Sequence, residues 1–96
     1  MLIYTEERHW KHNLTLLATK LDPMGYTYYS ERTLSDLIAT ESWTNCVGFI
    51  ELDKSDKTFA CYTDNYATTG YITLEEFMGE EFTEPKPITF NDIFHL

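Results

Sequence analysis

The chain has 96 residues, with 16 acids against seven bases for a formal charge of −9, and it is 43% hydrophobic and 16% aromatic. That length allows one domain, and a chain so rich in rings can bury enough area to offset its ordering entropy, which excludes disorder. The charge disfavours direct binding to nucleic acid or to an anionic membrane. With no signal peptide and no apolar run near the roughly 20 residues of a membrane span, the expectation is a cytoplasmic protein.

Thr5 stands where it can cap a helix, with Glu6 and Glu7 placed where the helix dipole favours anions. Trp10, Leu14, Leu17 and Leu21 recur at steps of four, three and four, which draws one apolar stripe down a helix of about five turns. Asp22-Pro23-Met24-Gly25 ends it, because Pro disfavours helix in its predecessor and Gly permits a reversed backbone. The aromatic and β-branched run Tyr26-Thr27-Tyr28-Tyr29 predicts a short strand, one that could form the edge of a homodimer. Thr33-Leu34-Ser35-Asp36 then carries an N-cap and an acid at its third position. Leu34, Leu37 and Ile38 supply the apolar face of a second, shorter helix to about Ser42.

Cys46 to Leu52 and Lys57 to Thr63 are runs of strand formers around the polar Asp53-Lys54-Ser55-Asp56, which predicts a hairpin. Pairing Asp53 with Asp56 sets Ile50 against Phe59, Gly48 against Cys61 and Val47 against Tyr62. Both faces are then apolar, which places the hairpin at the centre of its sheet. Tyr71-Ile72 predicts another short strand, and Thr73-Leu74-Glu75-Glu76 is a capping box opening a brief helix that Gly79 ends. Pro85 and Pro87 keep the next stretch extended, and Ile88 to Phe94 closes as a strand or a helical turn. The expected fold class is α+β over residues 1–96. It is a small antiparallel sheet of about three or four strands, with the N-terminal helix and the second short helix packed on it.

Residues that could carry chemistry are few. In the register above, Cys46 and Cys61 share a hairpin face but lie about 7 to 8 Å apart on the diagonal, too far for an unstrained disulfide. Glu6, His9 and His12 can share a helix face, yet a Glu-x-x-His metal fragment needs a second copy, so a solvated or ring-packed His pair is expected. A calcium loop starting at Asp53 would need Gly where Thr58 stands and would put the Lys57 cation among its ligands. There is no Gly-x-Ser-x-Gly elbow and no Gly-rich phosphate loop. The expectation is a protein that is not an enzyme and holds no cofactor or metal.

What stands out is acidity without compensation: from Tyr62 to Pro85 there are six acids and no base. On a continuous helix Glu75, Glu76, Glu80, Glu81 and Glu84 would fall within about 14 Å. Duplex DNA carries about eight charges in that length, although Gly79 and Pro85 interrupt such a helix here. Interleaved with these acids are Tyr66, Tyr71, Phe77, Met78 and Phe82, side chains suited to either a core or an interface. The candidate partner-binding set is therefore Asp53, Asp56, Asp64, Tyr66, Tyr71, Glu75, Glu76, Glu80, Glu81, Phe82 and Glu84.

In size and composition the whole chain resembles the small accessory proteins of bacteriophages, which are short, acidic, rich in rings and without catalytic motifs. The resemblance implies a non-enzymatic inhibitor acting in the cytoplasm of an infected bacterium. Its partner would be a basic host protein, a nuclease or other nucleic-acid-handling component of defence such as a restriction or CRISPR enzyme, met in some cases by a DNA-like negative surface. Thr73-Leu74-Glu75-Glu76-Phe77 is a capping box common to unrelated proteins, so no residue role is carried over from the resemblance. The alternative expectation is a small enzyme or ligand-binding protein with a pocket lined by Tyr26, Tyr28, Trp43 and Tyr62.

Overall fold

The computed structural model describes residues 1–29, 31–40 and 43–85. The stretch Ile88 to Phe94, expected as a strand or helical turn, lies outside the described residues. The architecture is α+β, as the sequence predicts. A mixed four-stranded sheet in the order β3-β2-β1-β4 is built from β1 (Leu2–Tyr4), β2 (Phe49–Asp53), β3 (Thr58–Tyr62) and β4 (Ile72–Thr73). One face is covered by α1 (Trp10–Leu21), α2 (Leu34–Thr40) and α3 (Leu74–Met78).

The N-terminal strand is absent from the sequence expectations, and it rearranges the sheet. Ile3 sits opposite Ile50 of β2 in antiparallel pairing and beside Ile72 of β4 in parallel pairing. The sheet is therefore mixed rather than antiparallel, and the hairpin occupies one edge instead of the centre. Because β1 continues to Thr5, whose N–H donates to the Gly48 carbonyl at 2.7 Å, Thr5 is a buried extension of the strand and caps nothing. The chain turns instead at Glu6, which adopts φ 60, passes through a 3-10 turn at Glu7–His9 and enters α1 without a side-chain cap.

On α1 the predicted stripe is realised: Leu14, Leu17 and Leu21 are fully buried, and each such burial stabilises by about 1.5 to 3 kcal/mol. Gly25, at φ 84, reverses the backbone after Pro23, and the Tyr26 N–H returns to the Leu21 carbonyl. Tyr26 then drops into the core. The predicted strand over Tyr26 to Tyr29 shrinks to two isolated bridges, Thr27 with Thr58 and Tyr28 with Arg32, because Tyr29 turns away in the left-handed region at φ 50. This segment thus offers no edge strand for a dimer. Thr33 and Asp36 cap α2 reciprocally, each side chain accepting the other's backbone N–H. Thr73 accepts the Glu76 N–H to start α3, and Gly79 at φ 62 ends it.

The hairpin forms with a different register. Asp53 pairs with Thr58, Leu52 with Phe59 and Ile50 with Cys61, two residues removed from the expected pairing. The cause is local: Asp53 Oδ1 accepts the Ser55 N–H, the Ser55 hydroxyl and the Asp56 N–H, closing a four-residue loop that Lys57 leaves at φ 57. Asp56 belongs to the loop rather than the ladder. Cys46 falls in a 3-10 turn at Thr44–Cys46, outside the hairpin, so the two cysteines do not share a strand-pair diagonal, and both are free thiols.

Candidate functional site

Strand alternation sorts the sheet residues onto two faces. Ile3, Ile50, Leu52 and Phe59 point to the helices and join Leu14, Leu17, Leu21, Leu34, Leu37, Leu74 and Met78 in one core. Tyr4 of β1, Phe49 and Glu51 of β2, and Ala60 and Tyr62 of β3 therefore take the other face. Rings gather there. Phe49 lies 4.9 Å from Tyr4 and 5.2 Å from Tyr71 between centroids, and Tyr66 stacks on Tyr62 at 3.8 Å with planes 13° apart.

The loop from Thr63 to Tyr71 carries two of these rings across the face, and its position is set at one end by a missing atom. A Cβ on Gly48 would come within 2.6 Å of the Asp64 Cα and N, so only glycine permits this approach. Two reciprocal bonds hold the same spot: the Glu7 N–H donates to Asp64 Oδ1 at 3.2 Å, and the Asp64 N–H donates to Glu7 Oε2 at 3.1 Å. Phe49 is consequently sealed at 1% exposure, whereas Tyr66 and Tyr71 above it remain 47% and 38% exposed.

The face is electronegative at this end. Burial, then the carboxylates of Asp64 and Glu6, with smaller contributions from Tyr71 and Glu7, raise the Tyr4 phenol above its ordinary pKa. Tyr62 is raised by burial, then by Tyr66, with Glu51 adding to it. Glu6 and Glu75 line a neighbouring cleft of about 220 Å³ together with Asn13, Phe82 and Pro85.

Of the residues singled out in the sequence, Asp64, Tyr66, Tyr71 and Glu75 come to this face or its margin. Glu76, Glu80, Glu81 and Glu84 are exposed along α3 and the segment after it. That segment is fastened to α1, since His12 Nε2–H donates to the Thr83 carbonyl at 2.8 Å and Lys20 donates to the Phe77 carbonyl at 3.0 Å. Phe82 is half-buried against the core. Asp53 and Asp56 lie apart from the rest. They sit at the hairpin tip, about 13 Å along the strands and about 10 Å across them from where β4 passes into α3. The candidate set is thus divided between two ends of the sheet. Tyr4, Phe49, Glu6 and Glu7 belong to the face and were not in the set. Only the paired burial of Phe49 and Ile50, apolar on both sides of one strand, hinted at them.

The expected tyrosine-lined pocket also divides. Tyr26 is in the core at 2% exposure. Tyr28, Tyr29 and Tyr62 line a groove of about 410 Å³ along β3, with Glu51 and Asp53 in its wall. Trp43 and Tyr62 line a separate hollow of about 330 Å³ that also contains Cys46 and Cys61. Burial pushes the Cys61 thiol up to about 12, so it is held protonated and unreactive at neutral pH.

Fold and site together define an α+β domain with a mixed sheet, covered by helices on one face and by a ring-bearing, acid-rimmed loop on the other. In comparisons with known proteins no family model, no curated protein and no solved structure matches this chain. Among the described residues no helix is long and apolar enough to cross a membrane.

Proposed function

We propose that the protein is a non-enzymatic acidic binding module, an inhibitor of the phage type that occupies a basic surface of a nucleic-acid-handling host protein. One observation carries the reading. The six acids between Tyr62 and Pro85 are all exposed, with no base among them, and two of them, Asp64 and Glu75, stand at a face of partly exposed rings. Carboxylates steer a basic partner into encounter, and tyrosines then supply contact area at small entropic cost. Because α3 ends at Gly79, any mimicry of DNA charge would run through a bent array of carboxylates rather than a single helical row.

Affinity capture from nuclease-treated bacterial lysate, eluted along a salt gradient, tests the reading. The expected result is a stoichiometric nuclease or other DNA-handling protein released by salt, since rim charges are screened beyond about 8 Å at physiological ionic strength. Joint reversal of Glu75, Glu76, Glu80 and Glu81 to Lys should abolish capture while sparing the fold, because all four are exposed. A partner indifferent to both salt and the reversal would refute the proposal. A small-ligand site is the second reading, favoured by the groove of about 410 Å³ beside Tyr28 and Tyr62; ligand pockets begin at about 300 Å³.

A further inference from the structure

Among the described residues β3 is an edge strand, and it is closed over only part of its length. Thr27 donates to the Lys57 carbonyl and accepts the Phe59 N–H, both at 3.1 Å, which fixes Lys57, Phe59 and Cys61 as the residues whose backbone groups point outward. Beyond Thr27 the chain leaves the edge, because Tyr28 pairs with Arg32 and Tyr29 turns at φ 50. The Phe59 carbonyl and the Cys61 N–H and carbonyl are left facing outward, with no hydrogen-bond partner among the described residues.

Exposed edges are ordinarily guarded by charge, proline or a bulge. The sequence of β3, Thr-Phe-Ala-Cys-Tyr, carries no charge and no proline. The groove of about 410 Å³ runs beside this row, and its lining includes the carboxylates of Glu51 and Asp53 and, among the described residues, no basic side chain. Glu51 stands directly across from Ala60, the smallest side chain on β3. A strand added outside β3 would lie two spacings, about 10 Å, from β2. A lysine on it could cross Ala60 and meet the Glu51 carboxylate.

We infer that the outer edge of β3 is a strand-addition site for an extended basic segment of a partner, with basic residues at alternate positions reading Glu51 and Asp53. Backbone bonds to Phe59 and Cys61 supply affinity, and the carboxylates supply selectivity. The inference rests on the proposed preference for a basic partner and adds the place and mode of contact. A second copy of this chain is the weaker occupant, since each copy carries −9 and would bring Glu51 and Asp53 against their own equivalents.

The test uses the isotopically labelled full chain and two synthetic octapeptides of equal charge, one alternating lysine with valine and one alternating lysine with proline. The proline peptide keeps the charge but cannot form a regular strand ladder. The expected result is slower exchange of the Cys61 amide by about tenfold, with resonance shifts centred on Phe59 to Cys61, for the valine peptide alone. Glu51→Gln should weaken that binding by about fivefold, and Cys61→Pro, which removes only an outward N–H from the ladder, should abolish the peptide-induced shifts at Phe59 and Ala60. Shifts centred on Asp64, Tyr66 and Glu75, with the Cys61 amide unaltered, would overturn the edge site while leaving the acidic reading intact. Failure of both peptides to shift any resonance at low salt would count against the edge site and the basic-partner reading together. Protection of the Cys61 amide in the absence of peptide, rising with protein concentration, would assign the edge to a second copy and overturn the proposed occupant.

Discussion

The two faces of the sheet draw on the same strands and differ in what covers them. Toward the helices, Ile3, Ile50, Leu52 and Phe59 are at most 4% exposed and meet leucines from three helices. Toward the loop, Phe49 is equally sealed, but the rings that seal it stay half open to solvent. The helical face therefore stores stability, and the loop face keeps ordered aromatic surface available for contact. What separates them is the kind of cover: a helix satisfies its own backbone and brings a continuous apolar stripe, whereas a nine-residue loop from Thr63 to Tyr71 brings isolated rings.

The sharpest way to break this comparison is to truncate one residue on each face. Leu17→Ala should cost about 2 to 5 kcal/mol in urea unfolding, because its fully buried side chain leaves a cavity among α1, α2 and the sheet. Tyr66→Ala should cost about 1 kcal/mol or less yet weaken partner capture, since its ring is 47% exposed and stacks on Tyr62 alone at close range. Equal costs at the two sites would erase the distinction.

Gly48→Ala is expected to fall between them, at about 1 to 3 kcal/mol, because the added methyl collides with the backbone of Asp64 as well as with its carboxylate, so a side-chain shift alone does not relieve it. Its diagnostic readout is the near-ultraviolet circular dichroism of the Tyr62 and Tyr66 stack, which should change while far-ultraviolet helicity stays constant. An unchanged ring signal would mean that the loop is positioned by something other than this contact.

The smallest effect is at the hairpin tip. The Ser55 hydroxyl, then the backbone N–H groups of Asp56 and Ser55, hold the Asp53 carboxyl below the usual carboxylate range. A lowered folded-state pKa means that the contribution of Asp53 is present above the ordinary carboxylate pKa and lost as pH falls through the lowered value. Acid titration followed by the Ser55 and Asp56 amide resonances should show those bonds released together in that window. Asp53→Asn should remove the dependence while leaving both sheet faces unperturbed.

The hairpin also shows where sequence reasoning reached its limit. A slide of two residues leaves every side chain on its original face, so the alternation of apolar residues fits the expected register and the observed one equally well. Only the turn chemistry of Asp53 decides between them. The helices were legible because Leu14, Leu17 and Leu21 repeat at helical spacing and because Thr33 and Thr73 announce their caps. Leu2-Ile3-Tyr4 was illegible as a strand, being too short to reveal a period. With β1 hidden, the meeting of Tyr4 with Phe49 could not be foreseen. The division of the candidate carboxylates between the hairpin tip and the α3 end depends on a strand order that composition does not encode.

The place of β1 in the sheet has a consequence for how the chain reaches its native state. Leu2 to Tyr4 are synthesised well before their partners, residues 49–51 and 72–73. Every ladder bond β1 makes closes a long loop, so the sheet gains nothing from it until most of the polypeptide has been synthesised. Until then β1 has both flanks unpaired, and the nascent protein spends that interval with Leu2-Ile3-Tyr4 open to wrong partners.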